Sequence, residues 1–304
     1  FNRNGNYGSG GAYQDAQSPY RRWYRLENQQ YDCWWGVSDL PNVNERNESY
    51  QDFIKGETRY TSLAKQFPQV AEKLFVKAED VADELPDGFI AAIRTAMRET
   101  DPDALLMGEV WEDASHKESY GQRRRYLLGS ELDCPMHYPF RTAVTDFMLG
   151  KLDAERLCAQ MRSLQENYPP TAFRAALNLI GSHDRARVLT LMGDTPDGQP
   201  LSPAQHALAV RRVQLLSLLQ FTAPGVPCIY YGVEGGEDPD NRGPFPWGHE
   251  DPTLMPHYRN LTQLRQAHPV LTKGGFEPLF FGGDVYGCLR TGETESILAL
   301  ANRS

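Results

Sequence analysis

The stretch Ala104-Leu105-Leu106-Met107-Gly108-Glu109-Val110-Trp111-Glu112 constrains this chain more than any other. A short apolar run stops at a glycine, and a carboxylate and an indole follow at once. A strand covered on both faces reads as such a run, and in a parallel barrel its C-terminal end delivers side chains to the mouth where ligands bind. Two other segments share this grammar: Asp80-Val81-Ala82-Asp83-Glu84-Leu85-Pro86 upstream and Leu177-Asn178-Leu179-Ile180-Gly181-Ser182-His183-Asp184 downstream. Three acids, Asp80, Glu109 and Asp184, therefore fall at or near the C-terminal ends of three candidate strands.

Between these runs the apolar spacing turns helical. It predicts helices over Ser62 to Phe75, with Pro68 interrupting, and over Pro86 to Glu99, with Phe89, Ile90, Ile93 and Met97 on one face. Further helices are expected over Asp153 to Glu166, Pro203 to Leu219 and His257 to Ala267. Glu131 to Met136 and Gly225 to Gly232 read as additional strands. Strand and helix in alternation imply a parallel sheet or a (β/α) barrel, and acids at several strand ends favour the barrel. After about residue 275, the glycine-punctuated runs Phe276 to Phe281, Val285 to Arg290 and Ser296 to Asn302 read as the start of an antiparallel domain.

Residues 1 to 56 are rich in Gly, Asn, Tyr and Trp without helical or strand periodicity, and read as a long irregular excursion. Tyr20, Trp23, Tyr24, Tyr31, Trp34 and Trp35 either fill a loop-rich subdomain or offer flat faces to sugars. The expected organisation is thus an inserted subdomain over 1–56, a barrel region over 57–274 and a C-terminal β region over 275–304. Arg123 to Arg125 reads as a solvated helical face, and Tyr138 as a packing residue.

At 304 residues and 40% hydrophobic content, the chain can bury one large core. A net charge of -9 with a pI near 5.3 argues against nucleic acid and against an anionic membrane surface. Five cysteines without a C-x-x-C spacing suggest neither a zinc site nor a disulfide framework, which fits a reducing compartment such as the cytoplasm. No apolar run reaches the roughly eighteen residues that cross a bilayer. The expected partner is a neutral small molecule or polymer.

Taken in order, these motifs resemble glycoside hydrolase family 13, the α-amylase family, and within it neopullulanases, cyclomaltodextrinases and amylopullulanases. Leu40 to Asn44 matches the motif of the domain that interrupts the family's barrel. Asp80 to Glu84 matches the nucleophile motif, Gly108 to Trp111 the acid motif and Ser182-His183-Asp184 the stabiliser motif. Gly225 to Gly232 with Glu234 matches the last barrel strand, and Asp238 to Arg242 a sugar-binding loop.

The resemblance implies a (β/α)8 TIM barrel and a retaining α-glucan hydrolase. It would act on α-1,4 bonds, with α-1,6 bonds as a further class, of starch-derived oligosaccharides, cyclodextrins or pullulan. Asp80 would be the nucleophile, Glu109 the acid and base, and Asp184 the stabiliser, with the carboxyls of Asp80 and Glu109 about 5 to 5.5 Å apart. His183, Trp111, Glu84, Asp238 and Arg242 would bind substrate. No cofactor is required; the family often carries structural calcium, but no run of Asp and Asn at ligand spacing points to it here.

The family's first motif would precede Phe1, so the chain is expected to be a fragment lacking about the first three strands of the barrel. The nucleophile strand also departs from pattern. Ala78 in Lys77-Ala78-Glu79-Asp80 stands where the family has an Arg that pairs with the nucleophile. Genuine divergence, compensation by Lys77 and an error in the sequence are all open readings. Two alternative functions follow: a non-catalytic α-glucan-binding homologue, and a transglycosylase that excludes water from its acceptor site.

Overall fold

The computed structural model describes residues 85–119, 121–193, 201–236 and 242–304. The chain divides into two units, Phe1–Asp80 and Val81–Ser304, and these residues belong to the second. The aromatic-rich stretch 1–56, the predicted helix Ser62 to Phe75 and the Asp80 strand lie outside the described residues.

Four short parallel segments stand side by side. Strand β1 (Met107–Gly108) pairs with β4 (Cys134–Pro135), Met107 facing Cys134. A bridge from Met136 to Leu177 carries the series on to β5 (Leu177–Leu179), which pairs with β6 (Val226–Cys228). Helices α2 (Tyr138–Met148), α3 (Ala154–Asn167) and α4 (Pro170–Ala175) connect β4 to β5. Helices α5 (Val188–Met192) and α6 (Pro203–Thr222) connect β5 to β6. Such helical crossovers are what parallel neighbours need.

The helices start where local chemistry says they should. Asp153 accepts a hydrogen bond from the Arg156 amide at 2.8 Å, which caps α3. Ser202 and Gln205 form a reciprocal capping box on α6. Helix α1 (Asp87–Thr100) buries Phe89 and Ile90, and α7 (Leu254–Ala267) buries Leu254, Tyr258 and Leu261. Each of these four matches its predicted span to within three residues at either end. The strand predicted over Glu131 to Met136 is shorter, with only Cys134–Pro135 in the ladder.

Because the strands are so short, side chains lace them together. Asn178 on β5 is fully buried; its Oδ1 is 2.9 Å from His137 Nδ1 and its Nδ2 donates to the Pro224 carbonyl at 2.7 Å. Gln220, at the end of α6, donates from Nε2 to the carbonyls of Asn178 and Cys228 at 2.8 and 2.7 Å. The turn into β6 requires glycine: Gly225 has φ +109°, and a Cβ there would meet the Ala176 carbonyl at 2.6 Å. His137 sits among Phe140, Tyr168 and Phe173, and burial pulls its pKa down to about 4, so the ring is neutral.

Arg123 to Arg125 do not form a solvated helical face. Gln122–Arg123 is β3, the second strand of a hairpin with β2 (Glu118–Ser119). Arg124 is buried, with Nε 2.6 Å from Asp87 Oδ1, and it also donates to the Leu85 carbonyl. The charge run hides an ion pair, buried on the Arg124 side and half-buried at Asp87, that anchors the first turn of α1.

After helix α8 (Val270–Lys273), strands β7 (Gly275–Phe280), β8 (Val285–Thr291) and β9 (Ser296–Asn302) form an antiparallel sheet in the order β7-β8-β9. These spans agree with the predicted runs. Arg290 on β8 is fully buried and donates to the carbonyls of Thr222, Leu271, Gly275 and Gly274 at 2.7, 2.8, 2.9 and 3.1 Å. Among the described residues, no helix is long and apolar enough to cross a membrane.

Candidate active site

Glu109 follows β1 directly and is half-buried. Gly108 before it is buried, and a Cβ there would come within 2.3 Å of a Leu132 methyl, so Leu132 packs directly on the glycine and would have to move for any larger residue. One carboxylate oxygen of Glu109 takes a hydrogen bond at 3.2 Å from the hydroxyl of Tyr138, the first residue of α2. The same hydroxyl is 3.4 Å from Ser182 Oγ, which in turn accepts the Asp184 amide at 3.3 Å. A polar chain thus runs from the end of β1 across the end of β4 to the loop beyond β5. Burial, ahead of the neighbouring carboxylates, raises the Tyr138 pKa, so the phenol keeps its proton and donates.

Trp111 lies two residues beyond Glu109. Its indole stacks on Tyr138 with centroids 4.3 Å apart and planes 8° from parallel. The guanidinium of Arg185 lies over the indole at 4.1 Å.

Asp184 faces two groups. Its Oδ2 is 3.0 Å from His183 Nε2, and its Oδ1 is 3.2 Å from an Arg242 guanidinium nitrogen. Arg242 also donates from Nε to the His183 carbonyl at 3.3 Å. The loop after β6 is fixed by Arg187, which is 1% exposed, lies against the rings of Tyr230 and Tyr231 and donates to the Tyr231 carbonyl. The Tyr231 hydroxyl then donates to the Gly243 carbonyl at 2.8 Å, beside Arg242.

The structure therefore brings Glu109, Trp111, His183, Asp184 and Arg242 to the same ends of the parallel strands. Asp80, Glu84 and Asp238 lie outside the described residues. Tyr138, read from sequence as packing, proves to be both a stacking partner and a hydrogen-bond donor to Glu109. Its signal was its position, immediately beyond a strand end like Glu109 and Asp184. Arg185 and Arg187 also escaped notice, although both adjoin the Ser182-His183-Asp184 motif. Among the described residues, no group of three or more His, Cys, Asp or Glu gathers where it could hold a metal ion.

A parallel strand-and-helix wall with acids beyond its strand ends defines a barrel-type enzyme class, and the chain belongs to the α-amylase family. Residues 59–245 match that family's catalytic domain. The amylopullulanase of Thermoanaerobacter thermohydrosulfuricus is 36% identical over 322 residues, covering 94% of this chain and 21% of that one. Neopullulanase 2 of Thermoactinomyces vulgaris is 32% identical over 267 residues, covering 82% of this chain and 42% of that one. Among solved structures, the ligand-free cyclic α-maltosyl-(1→6)-maltose hydrolase of Arthrobacter globiformis superposes with a TM-score of 0.63 at 26% identity, covering 74% of this chain and 48% of that one. The chain spans less than half the length of each of these relatives. Family and structural neighbours together imply the (β/α)8 barrel as the fold class.

Proposed function

We propose that this chain carries the catalytic cleft of a retaining α-glucan hydrolase. It cleaves α-1,4 glucosidic bonds, and α-1,6 bonds as a second class, in starch-derived oligosaccharides, cyclodextrins or pullulan. The observation that carries this reading is the polar chain Glu109–Tyr138–Ser182–Asp184, which ties the Glu109 carboxylate to the Asp184 backbone amide across the ends of β1, β4 and β5. The names of the relatives, amylopullulanase and neopullulanase, support the same substrate class.

In this reading Asp80 attacks the anomeric carbon while Glu109 gives its proton to the departing glycosidic oxygen. Glu109 then takes a proton from the incoming water, which releases the sugar from Asp80. The Tyr138 hydroxyl occupies one oxygen of Glu109 and so leaves the other for the substrate. Asp184, oriented by Arg242 and His183, accepts ring hydroxyls and stabilises the positive charge that builds up on the sugar. Trp111 and Glu84 shape the subsites beside the cleaved bond, and Asp238 with Arg242 holds a more distant glucose.

For the domain plan, we read 1–56 as the inserted subdomain, 57–274 as the rear of the barrel and 275–304 as the start of the C-terminal β domain. The parallel order β1-β4-β5-β6 and the antiparallel β7-β8-β9 support the last two. Among the described residues, Cys134, Cys158, Cys228 and Cys288 are free thiols, which supports a reducing compartment.

The test is release of reducing sugar from maltooligosaccharide and pullulan by the protein at its natural length, beside Glu109→Gln and Ala78→Arg. Activity that disappears in Glu109→Gln supports the hydrolase. A gain in Ala78→Arg identifies the missing cation as a defect of the nucleophile strand. Binding of maltooligosaccharide without turnover, indifferent to both changes, replaces the hydrolase with a glucan-binding protein.

A further inference from the structure

The indole of Trp111 is covered on both faces. Tyr138 fills one, parallel at 4.3 Å. The Arg185 guanidinium carbon lies over the indole, 4.1 Å from the ring centroid. Carbon atoms in contact stand roughly 3.5–4.0 Å apart, so a guanidinium at that distance cannot share a face already taken by a parallel ring. Arg185 therefore lies over the opposite face, and the indole is the middle layer of a phenol–indole–guanidinium stack.

We infer that Arg185 is a specificity-determining residue of the leaving-group side of the cleft: it occupies the indole face on which an acceptor sugar would stack, and so favours water over sugar as the acceptor. The inference rests on the hydrolase reading above. Glu109 serves the departing oxygen and then the incoming acceptor, so Trp111, two residues beyond it, belongs to the side where the leaving sugar departs and acceptors arrive. An open indole there would hold the apolar face of a glucose ring. Water needs no such platform. A sugar must first displace the guanidinium, whereas water reaches Glu109 with the stack intact.

The location of Arg185 suits this role. It follows Asp184 directly in the loop between β5 and α5, and it is exposed, so a ligand in solvent reaches it without uncovering core. The neighbouring Arg187 is locked beneath Tyr230 and Tyr231, which fixes the loop while leaving the Arg185 side chain at its rim. The stack joins the residue after the expected stabiliser to the residue two beyond the expected acid, so it ties the loop after β5 to the end of β1.

The experiment uses the protein at its natural length and compares wild type, Arg185→Ala and Arg185→Lys, each also in a Trp111→Ala background. Products from maltotriose with added glucose are separated to give the ratio of transfer to hydrolysis. Maltose binding is followed in parallel by tryptophan fluorescence. Removing a cation–π contact that a ligand must otherwise displace is worth about three- to tenfold in affinity, and Arg185→Ala should raise the transfer ratio and tighten maltose by that factor. Arg185→Lys, which keeps the charge but not the plane, should move the same way. In the Trp111→Ala background neither change should matter.

An unchanged or lower transfer ratio in an Arg185→Ala protein that still hydrolyses overturns the inference and leaves the hydrolase reading standing. A wild type that hydrolyses nothing overturns the hydrolase reading. The binding arm needs no turnover, so maltose affinity unaltered by Arg185→Ala also overturns the inference in such a protein, while tighter binding that depends on Trp111 upholds the indole plug.

Discussion

The Tyr138 hydroxyl lies 3.2 Å from a carboxylate oxygen of Glu109 while its ring lies flat against Trp111. One residue thus orients both members of the strand-end motif. Tyr138→Phe keeps the stack and deletes only the donor. A hydrogen bond to a charged group is worth about 1.5–3 kcal/mol, so kcat on maltooligosaccharide should fall about 10- to 100-fold, with KM little changed. A steady-state comparison with wild type checks this, and an unaltered kcat would remove Tyr138 from the machinery.

Arg242 and Asp184 form a partly exposed pair, with side chains 38% and 30% exposed. Pairs of this kind contribute about 0–1 kcal/mol to folding. Arg242→Ala should therefore leave the thermal midpoint nearly unmoved while raising KM for maltooligosaccharide several-fold. Calorimetry and initial rates on the same preparation separate the two effects.

How much was legible before the structure depended on whether the signal was local. The starts of α3 and α6 were readable because Asp153, Ser202 and Gln205 cap within four residues of themselves. Glu109 and Asp184 were readable because a short apolar run stops at a glycine shortly before each, although the run before Glu109 is not covered on both faces as expected: Leu105 and Met107 are exposed. Tyr138 was not, since a tyrosine after an apolar run looks the same whether it packs or donates. Only the pairing of β1 with β4 sets its hydroxyl beside Glu109. Arg124 was misread for the same reason: its partner Asp87 is 37 positions away, and no periodicity within the Arg123 to Arg125 run announces it.

His137 makes folding sensitive to acid. Its pKa is about 4 in the fold against an ordinary value of 6.5, so between those limits the unfolded chain binds the extra proton. This part of the stability is complete above pH 6.5 and is lost as the pH falls towards 4, by about 3 kcal/mol. Urea unfolding at pH 7 and pH 4.5 should show the loss, and His137→Gln should reduce the difference between the two.

Glu131 acts in the opposite direction. It is 2% exposed, and one carboxylate oxygen has no hydrogen-bond partner. Burial, then the charge of Asp87, pushes its pKa up to about 7, against the facing Arg124 and Arg125. The favourable contribution of the neutral acid is present below pH 4.5 and is lost as the pH rises through 7. Glu131→Gln supplies a neutral side chain at every pH. It should stabilise the protein at pH 8 by on the order of 2 kcal/mol and give no advantage at pH 4.5.

Arg290 gives the C-terminal sheet its mechanical character. Its guanidinium reaches carbonyls at the end of α6, in α8 and at the start of β7, with no water between. A cut at Gly274 would leave a bare cation in one piece and orphaned carbonyls in the other. Under load, or in the hands of anyone exchanging modules, α6, α8 and the sheet should yield together rather than one after another.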